Sequence, residues 1–451
     1  MVERIPRVVI AGTNSGCGKT TVTCAILEAL MERGLRPGAF KCGPDYIDPM
    51  FHREIIGAKS GNLDLFLCGA DTVRTLLGKG GADRGLCVIE GVMGYYDGLE
   101  LTSTEGSTYE TAAATESPVV LVADAKGAAL SVLAVIGGFL AMVPDSRIAG
   151  VILNRCSPMT YPRLAEAIRN RFPGVRPLGY MPPMPDCALE SRHLGLVTAA
   201  EVSGLRQKLR RLAAQAEESV ELGGLLELGR SAVPLRWEPL KVTRFPEPVP
   251  IAVARDRAFC FYYEDGLDLL REMGAELVEF SPLEDSALPE GICGLYLGGG
   301  YPELYAERLA ENRSMRASVR SALERGLPCV AECGGFMYLT ESVGGYSMVG
   351  FLPGMCYDRG RLTRFGYVTL TAKRDGMLCA AGETLRAHEF HYWDTEAPGE
   401  DCTARKRSGR SWDCVTANGR LYAGFPHFHF CGELKAAENF YRACLEEKRH
   451  G

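Results

Sequence analysis

The sequence lacks the features that would indicate a membrane, an exported or a nucleic-acid-binding protein. No apolar run reaches the length needed to span a bilayer, and the segment MVERIPRVVIAG leads into a strand pattern rather than an export signal. Its 17 cysteines include no C-x-x-C pair, which argues against zinc and iron–sulfur sites and for reduced thiols. The formal net charge of −6 argues against broad nucleic-acid binding. We therefore expect a cytoplasmic protein without membrane or nucleic-acid partners.

Length and composition indicate an α/β protein with more than one domain. The 451 residues are 46% hydrophobic and 24% charged, and they include 52 glycines, which is ordinary for folded α/β proteins. Strand patterns alternate with helical patterns in both halves, whereas the segment VPLRWEPLKVTRFPEPVP between them is proline-rich and without periodicity. We therefore predict domains at 1–230 and 249–451, joined by a linker at 231–248.

The stretch LPCVAECGGFMY predicts a nucleophilic cysteine. An apolar run suited to a buried parallel strand leads to Cys333, and Gly334 and Gly335 follow it directly. With Ala331 they give the small-x-Cys-x-small spacing of a nucleophile elbow, in which the backbone turns sharply into a helix. A helix beginning there would stabilise the thiolate, which is the reactive form of cysteine. The alternative is that Cys333 is simply a small buried residue, as most free cysteines are.

The motif GTNSGCGKTT predicts a phosphate-binding loop, since an apolar strand pattern precedes it and a helical pattern follows. In such a loop the backbone N–H groups surround phosphates, Lys19 neutralises their charge, and the Thr20 hydroxyl reaches Mg²⁺. The strict motif has glycine where this chain has Thr13. Here the glycine comes one residue earlier, at Gly12, and this longer spacing resembles the loop of dethiobiotin synthetase. The alternative is a chance cluster of glycine, lysine and threonine.

Acidic residues recur after successive strand patterns. Asp45 and Asp48 follow GAFKCG, Glu90 ends the strand pattern LCVIE, and Asp97 lies in the glycine-flanked loop beyond it. Ligands bind at the carboxyl ends of strands in open α/β sheets, so carboxylates on loops there suit Mg²⁺ or substrate. The alternative is that they are solvated caps or turn formers. Asn154, after the strand pattern RIAGVILN, is either a reader of adenine or a turn residue.

Several other polar residues have two interpretations each. Arg192 and His193 in ESRHLGLV could contact phosphate or an anionic substrate, or lie in a salt-bridged surface loop. The run Gly298–Gly300 could direct N–H groups at an oxyanion facing Cys333, or form a tight turn. One of four histidines should act as the base for Cys333, while metal pairs among them are disfavoured because no further ligand cluster accompanies them. These histidines are His388, His391, His427 and His429.

A phosphate loop and a cysteine elbow on one chain indicate an ATP-dependent amidotransferase. Amidating a carboxylate requires phosphorylation of its oxygen and a supply of unprotonated ammonia, so one domain would activate the acid and the other release ammonia. The chain resembles the cobyrinic acid a,c-diamide synthase family, which amidates the a and c side chains of the corrin ring in cobalamin biosynthesis. The resemblance extends over nearly the whole chain and rests on an ordered set of motifs: GTNSGCGKTT, KCGPDYIDP, EGVMGYYDG, ESRHLGL, GLYLGGGYPELYAERL, AECGGFMYL, RAHEFHY and PHFHF.

The resemblance implies a fold and a glutaminase site. The fold would be an N-terminal, dethiobiotin-synthetase-like P-loop domain with a parallel sheet, followed by a flavodoxin-like class I glutamine amidotransferase domain. Cys333 would be the nucleophile, and His427 would activate it. Gly299 and Gly334 would supply oxyanion N–H groups. The resemblance suggests no acidic third member of the triad in this branch.

The resemblance also implies ligands for the first domain, namely ATP, Mg²⁺ and cobyrinic acid, with L-glutamine as the substrate of the second. The implied ATP contacts are Gly12, Thr13, Gly16, Gly18, Lys19, Thr20, Thr21 and Asn154. The implied Mg²⁺ ligands are Thr20, Asp45, Asp48 and Glu90. Tyr46, Ile47 and Asp97 would lie near the corrin carboxylates. Monomer and homodimer both remain open.

Other functions are compatible with part of the pattern. The nearest is a sister amidase acting on nickel–sirohydrochlorin or on hydrogenobyrinic acid, because motifs do not separate metals well. Cobyric acid synthase is disfavoured, since that family usually has a longer chain and a different loop at the position of KCGPDYIDP. A partitioning-type switch ATPase is also disfavoured, because its K-G-G-x-G-K-[ST] lysine is absent here and both Cys333 and His427 are present.

Overall fold

The computed structural model describes residues 1–187 and 199–450. The chain divides into two compact units, Met1–Pro239 and Leu240–Gly451, and the division falls within the segment 231–248. Part of that segment belongs to the first unit, where Leu235–Arg236 pairs antiparallel with Val2–Glu3. Both units contain helices and a largely parallel sheet, which confirms the predicted α/β class. Within the described residues, no helix is both long and apolar enough to cross a membrane.

The first unit is built on a seven-stranded parallel sheet. Its central strand Arg7–Gly12 is buried along its whole length, as expected when both faces of a parallel sheet are covered. This strand lies between Cys87–Glu90 and Val119–Asp124, so Gly12 and Glu90 come to the same edge. In spatial order the strands are Lys59–Leu63, Gly38–Cys42, Cys87–Glu90, Arg7–Gly12, Val119–Asp124, Ile148–Asn154 and Arg176–Met181.

Helices connect these strands and form the rest of the first core. Two of them begin at side-chain caps, where Asp64 Oδ1 accepts from the Leu67 N–H at 2.8 Å and Ser107 Oγ accepts from the Glu110 N–H at 3.2 Å. The α-helices are Lys19–Glu32, Ile47–Phe51, Leu65–Gly81, Thr108–Ala114, Ser131–Ala141, Tyr161–Arg171, Ala199–Ser219 and Leu222–Arg230. A π-helical turn, His52–Ile56, and a 3-10 turn, Pro185–Cys187, complete the set.

The second unit is built on a six-stranded sheet whose first five strands are parallel. Strand Cys329–Glu332 lies between Gly294–Leu297 and Leu421–Gly424, so it is paired on both edges and buried. The chain therefore leaves this strand, just before Cys333, at the carboxyl edge of the sheet, where α/β folds bind ligands. In spatial order the strands are Ala275–Phe280, Val249–Ala254, Gly294–Leu297, Cys329–Glu332, Leu421–Gly424 and Thr416–Asn418.

Smaller sheets, in which most strand pairs are antiparallel, are formed mainly by the segment after the elbow, as its β-type and turn-rich sequence predicts. A five-stranded sheet has the order Ser411–Cys414, Cys402–Arg405, Arg364–Ala372, Thr384–His391 and His427–Phe428. A four-stranded sheet has the order Tyr346–Ser347, Ser342–Val343, Met355–Asp358 and Trp393–Thr395, and Phe259–Phe261 pairs with Gly299–Gly300. The helices of this unit are Glu264–Met273, Ala306–Glu311, Arg313–Glu324, Gly334–Leu339 and Leu434–His450, with a 3-10 turn at Pro302–Tyr305.

Candidate active sites

Cys333 occupies the predicted sharp turn in the second unit. It lies between strand Cys329–Glu332 and helix Gly334–Leu339, with φ 47° and ψ −101°, a conformation that L-residues rarely adopt. Its own N–H donates to the Gly424 carbonyl at 2.8 Å, which fixes the turn to the neighbouring strand. The thiol residue is only 8% exposed. Backbone strain of this kind is typical of functional sites, so the geometry supports a nucleophile elbow.

The two glycines after Cys333 are required by close packing. A Cβ atom on Gly335 would lie 2.2 Å from the Leu297 carbonyl oxygen, and one on Gly334 would lie 3.0 Å from the Gly300 nitrogen. Both distances are shorter than normal Cβ contacts, and the atoms met are backbone atoms that cannot rotate away. The small residues of the motif therefore let the elbow approach the neighbouring strand end, as the sequence pattern predicts.

His427 is in contact with Cys333. The two side chains are hydrogen-bonded, and His427 Nδ1 lies 3.1 Å from Glu332 Oε2. Burial of His427 favours the neutral imidazole, but the hydrogen bonds to Cys333 and Glu332 outweigh it and raise the pKa of His427 to about 10. His427 is therefore an imidazolium at neutral pH, which suits it to protonate a leaving amine.

The glycines expected at the oxyanion position lie beside this pair of residues. A Cβ on Gly299 would be 2.6 Å from His427 Cε1, so only glycine fits there without movement of the imidazole. Gly299 lies in the short strand pair with Phe259–Phe261, and Gly334 opens the helix after the elbow. Both positions therefore border the cysteine and the imidazole, and their service as oxyanion donors stays a prediction.

The other three histidines that the sequence singled out as candidate bases, His388, His391 and His429, are packed and neutral. His391 stacks on Phe425 at 4.0 Å between ring centroids, and His429 stacks on Tyr263 at 4.5 Å. Burial lowers the pKa of His388 to about 3, with a smaller contribution from His427, and lowers those of His391 to about 4 and His429 to about 3. Among residues 1–187 and 199–450, no group of three or more histidine, cysteine or acidic side chains is arranged to hold a metal ion.

The predicted phosphate loop of the first unit joins strand Arg7–Gly12 to helix Lys19–Glu32. Gly16 and Gly18 have φ of 78° and 95°, which other residues adopt poorly. A Cβ on Gly12 would lie 2.4 Å from Cys17 Sγ and 2.7 Å from Lys19 Cγ, so this glycine allows the loop to fold back over its strand. The Lys19 ammonium donates to the Asn14 and Met93 carbonyls. These contacts hold it at the loop, where a phosphate charge would be bound.

A buried cluster of charges lies beside this loop. The Lys41 ammonium donates to Glu90 Oε1 at 2.9 Å and to Asp48 Oδ2, and Asp45 Oδ2 lies 3.9 Å away. The Thr20 hydroxyl donates to the same Glu90 oxygen at 2.6 Å, which links the cluster to the phosphate loop. Burial raises the pKa of Asp48 to about 7, and the nearby Glu90 carboxylate adds to the effect. Burial also disfavours the charged form of Glu90, but Lys41 and His52 outweigh it and lower its pKa.

Comparisons with known proteins match each of the two units to a domain family and the whole chain to one enzyme family. The CobQ/CobB/MinD/ParA nucleotide binding domain model matches residues 8–197, and the CobB/CobQ-like glutamine amidotransferase domain model matches residues 250–434. The cobyrinate a,c-diamide synthase of Clostridium acetobutylicum is 40% identical over 442 residues, which cover 96% of this chain and 99% of that protein. Those of Priestia megaterium, 37% identical over 450 residues, and Thermoplasma volcanium, 39% over 452, each cover 98% of both chains.

The chain belongs to the cobyrinate a,c-diamide synthase family. It is therefore an enzyme of the carbon–nitrogen ligase class, with a nucleotide-binding domain and a glutamine amidotransferase domain, as the motifs predict. The amidotransferase match contains Cys333 and His427, and the nucleotide-binding match contains Lys19, Thr20 and Glu90. The geometry described above is thus located in the two domains that the family comparison identifies.

Within this family member, the donor chemistry of the first-unit cluster fits Mg²⁺. Thr20, Asp48 and Glu90 offer hydroxyl and carboxylate oxygens, the ligands that Mg²⁺ prefers, and the buried Glu90 Oε2 has His52 Nε2 at 3.4 Å. The described residues contain no complete cage of three acidic or histidine ligands. Mg²⁺ usually keeps waters and substrate phosphates in its shell, so a partial set of protein oxygens is sufficient.

Other predicted residues have local structural contacts that sequence alone left undecided. Asp48 lies in the helix Ile47–Phe51, so the expectation of a loop there was wrong. Asp45 Oδ1 accepts from the Ile47 N–H at 2.8 Å, which makes it a cap as well as a candidate ligand. Asp97 is exposed and accepts from the Gly94 N–H at 2.7 Å. Asn154 Nδ2 donates to the Cys17 carbonyl at 2.8 Å, so this side chain supports the phosphate loop.

For the remaining predicted residues, the structure gives position but no decisive contact. Tyr46 is 9% exposed and precedes the helix Ile47–Phe51. Thr13 lies in the phosphate loop, and Thr21 in the first turns of the helix after it. Arg192 and His193 lie outside the described residues.

Sequence reasoning missed two charged residues of these sites. Glu332 is 1% exposed and contacts His427, although no acidic partner of that histidine was expected. Lys41 is 5% exposed and lies at the centre of the carboxylate cluster, although only the acidic residues of this cluster were predicted as site residues. The signal was available in both cases, because each is a charged residue in an otherwise apolar, buried strand and such a residue needs a partner.

Proposed function

We propose that this chain amidates the a and c acetate carboxylates of cobyrinic acid, using ammonia from L-glutamine and activation by ATP. The observation that carries the proposal is the strained Cys333, hydrogen-bonded to His427, on the same chain as a phosphate loop whose Thr20 contacts Glu90. The first arrangement suits amide hydrolysis and the second suits phosphoryl transfer. Their combination is what amidation of a carboxylate requires, and the names of the relatives support the choice of substrate.

The second unit would release ammonia by covalent catalysis. The Cys333 sulfur attacks the side-chain amide carbon of glutamine, and the C–N bond breaks as the His427 imidazolium gives its proton to the departing nitrogen. The resulting thioester is hydrolysed when His427, now neutral, accepts a proton from the attacking water, and glutamate leaves. The N–H groups of Gly299 and Gly334 would stabilise the oxyanion in both steps. One glutamine and one water thus give one glutamate and one ammonia.

The first unit would activate the corrin carboxylate. A carboxylate oxygen attacks the γ-phosphorus of ATP, the bond to the bridging oxygen breaks, and ADP leaves behind an acyl phosphate. Lys19 lies where its ammonium would neutralise phosphate charge. Mg²⁺, held by Thr20, Glu90 and Asp48 or Asp45, would neutralise more of that charge. Ammonia then attacks the acyl carbon and phosphate leaves, so two cycles on one ring give the diamide.

Tyr46, Ile47 and Asp97 remain candidates for contacts to the corrin. Tyr46 and Ile47 adjoin the carboxylate cluster through Asp45 and Asp48, and Asp97 lies in the loop whose Tyr95 N–H donates to the Gly12 carbonyl at 2.8 Å. Both segments therefore border the phosphate loop within the first unit, where an activated carboxylate would have to lie.

ADP release with cobyrinic acid, measured with either glutamine or ammonium, tests the proposal in wild type and Cys333→Ala. We expect the variant to lose glutamine-driven turnover, by at least about 10³-fold, and to keep the ammonium-driven reaction, because only the nucleophile is removed. Cys379→Ala, at a half-buried thiol elsewhere in the same unit, is the matched control and should behave as wild type.

The same assay distinguishes the alternative substrates. If cobyrinic acid supports no turnover of wild type with either nitrogen source, the substrate assignment is wrong. Hydrogenobyrinic acid and nickel–sirohydrochlorin, assayed side by side at low concentration, would then show which macrocycle drives ADP release. Substrate-independent ATP hydrolysis, unaffected by all three macrocycles, would instead favour a switch ATPase.

A further inference from the structure

The structure pairs a buried carboxylate with the histidine of the glutaminase site. Glu332, the residue immediately before Cys333, places Oε2 3.1 Å from His427 Nδ1. Both side chains are almost fully buried, at 1% and 3% exposure. A buried carboxylate is costly unless it is paired, so its position against this imidazole needs an explanation in terms of either folding or function.

The fold brings the two residues together from sequence positions that are 95 apart. Glu332 ends the parallel strand Cys329–Glu332 and is paired in register with Gly424, at the end of the neighbouring strand. The chain continues from Gly424 to His427, which thus returns to the same strand end. Because the backbone bends sharply at Cys333, the adjacent side chains of Glu332 and Cys333 both reach the imidazole.

The residue two positions after His427 does not provide a negative charge. It is His429, whose Nδ1 accepts from the Cys431 N–H at 3.1 Å and whose ring stacks on Tyr263. Burial lowers the pKa of His429 to about 3, so it is neutral. The carboxylate that contacts His427 therefore comes from Glu332, in the motif AECGGFMYL, and not from the motif PHFHF that contains the histidine.

Other titratable groups around this pair are neutral or more distant. Burial lowers the pKa of the neighbouring His388 and His391, and burial raises that of Glu389 to about 7. None of these three makes a described hydrogen bond to His427. The titratable side chains that face His427 or Glu332 are Cys333, His388, Glu389, His391, Tyr296 and Tyr422.

We propose that Glu332 is the positioning carboxylate of the glutaminase, accepting the Nδ1–H of His427 so that the other nitrogen, Nε2, is directed at Cys333. The inference rests on the proposed roles of Cys333 and His427. The carboxylate fixes the tautomer of the neutral imidazole, in which Nε2 can accept a proton. It also stabilises the imidazolium, which later gives that proton to the leaving amine. Burial raises the pKa of Glu332, and the hydrogen bond to His427 opposes that rise, so the pairing favours the ionised carboxylate, which exchanges no proton with substrate.

The electrostatics of the pair give the proposal a pH signature. His427 has a pKa of about 10 and loses its proton as the pH rises through that value, so glutamine hydrolysis should fall along an alkaline limb. Loss of the Glu332 charge removes a charge-assisted hydrogen bond from the imidazolium. The alkaline limb should then move to lower pH by about one unit or more.

Glu332→Gln tests the proposal, because it keeps the shape of the side chain and removes its charge. With glutamine, cobyrinic acid and ATP present, we expect kcat for glutamine hydrolysis to fall by about 10²-fold and the alkaline limb to shift downward. The KM for glutamine should be unchanged, since Glu332 does not touch substrate. The rate of Cys333 alkylation by iodoacetamide at neutral pH should fall too. Ammonium-driven ADP release should match wild type, which shows that the first unit is intact, and the unchanged KM for glutamine shows that the second unit remains folded.

Asp401→Asn is the matched control, because it removes another buried carboxylate of the same unit, one that accepts from the Ala417 N–H at 2.7 Å and has no described contact with His427 or Glu332. Its kcat, pH profile and alkylation rate should equal those of wild type. An unchanged kcat and pH profile in Glu332→Gln would overturn the proposal. So would a parallel loss of ammonium-driven turnover, which would show that the carboxylate serves only folding. Glutamine hydrolysis that survives Cys333→Ala would instead overturn the underlying assignment of the nucleophile.

Discussion

Each unit contains a buried basic side chain in contact with carboxylates, but the number of carboxylates differs between the two units. In the second unit one imidazole, His427, faces one carboxylate, Glu332, and the charges balance. In the first unit one ammonium, Lys41, lies within 4.0 Å of three carboxylates, those of Asp45, Asp48 and Glu90. A balanced pair suits the movement of a proton, whereas an excess of negative oxygen suits the binding of a further cation. This difference supports the proposal of a Mg²⁺ site in the first unit.

The comparison also extends to backbone geometry. In the phosphate loop, Gly16 is needed for its dihedral angle alone, because a Cβ there would meet nothing within 4 Å but φ is 78°. The glycine Gly335 of the elbow is needed for space, because its Cβ would meet the Leu297 carbonyl oxygen at 2.2 Å. The phosphate loop is therefore open at Gly16, where a ligand can approach, whereas the elbow at Gly335 is packed against the neighbouring strand, which fixes the nucleophile.

Glu90→Gln should break the first network and give the largest effect. Lys41 would keep only the carboxylates of Asp48 and Asp45, and Thr20 would lose its ionised partner. We expect ADP release to fall by at least about 10³-fold with both glutamine and ammonium, because phosphoryl transfer depends on this cluster. The free energy of unfolding, measured in urea, should fall by about 3 kcal/mol, as for removal of one partner of a buried ion pair.

Cys333 alkylation by iodoacetamide provides the internal control for Glu90→Gln, and it should proceed at the wild-type rate. Asp71→Asn, at an exposed partner of Arg74, is the matched control for stability and should change it by less than about 0.5 kcal/mol. Ammonium-driven ADP release within tenfold of wild type would contradict the assignment of the cluster to phosphoryl transfer. The contrast with Glu332→Gln, which should spare the ammonium reaction, separates the functions of the two networks.

Gly335→Ala tests whether the elbow at Cys333 is as crowded as the distances at Gly335 indicate. The added methyl group collides with backbone, so either the helix Gly334–Leu339 or strand Gly294–Leu297 has to move. We expect a loss of about 2 kcal/mol in the free energy of unfolding, typical of overpacking, with slower alkylation of Cys333. Gly419→Ala, where a Cβ meets nothing within 4 Å and φ is not positive, should be nearly neutral. Equal stability of the two variants would show that the elbow tolerates a side chain.

The sequence was sufficient for features that local chemistry determines. The elbow at Cys333 and the loop before Lys19 each require glycines at fixed offsets, so their motifs identify them without knowledge of the fold. The α/β class and the family followed from periodic strands and the order of motifs. The elbow and the loop share one property: every residue that defines each of them is within a few positions of the others, and the family follows from the order of such local motifs along the chain.

The partners of buried charges were less accessible from sequence. The role of Glu332 depends on a histidine 95 positions later in the chain, and the role of Lys41 depends on a glutamate 49 positions later. The sequence shows a charged residue in each buried strand, which predicts that a partner exists but not which one. Asp45 shows a second limit of sequence reasoning, because an acidic residue after a strand can either cap a backbone N–H or bind a metal. Here one oxygen of Asp45 accepts from the Ile47 N–H, and the other faces the charge cluster around Lys41.

Asn154→Ala gives the smallest expected effect and separates two uses of one amide. Its Nδ2 is engaged with the Cys17 carbonyl inside the phosphate loop, and it packs where a Cβ on Gly18 would lie only 2.0 Å away. Loss of one such hydrogen bond corresponds to about 1 kcal/mol, so the dissociation constant for ATP should rise by about fivefold. Support of the loop is indifferent to the base, and titration calorimetry should therefore give the same factor for GTP. A selective loss of ATP binding would show instead that the Asn154 carbonyl oxygen reads adenine. The phosphate loop would then have to be held by its own backbone and by Arg155, which donates to the Gly16 carbonyl at 3.0 Å.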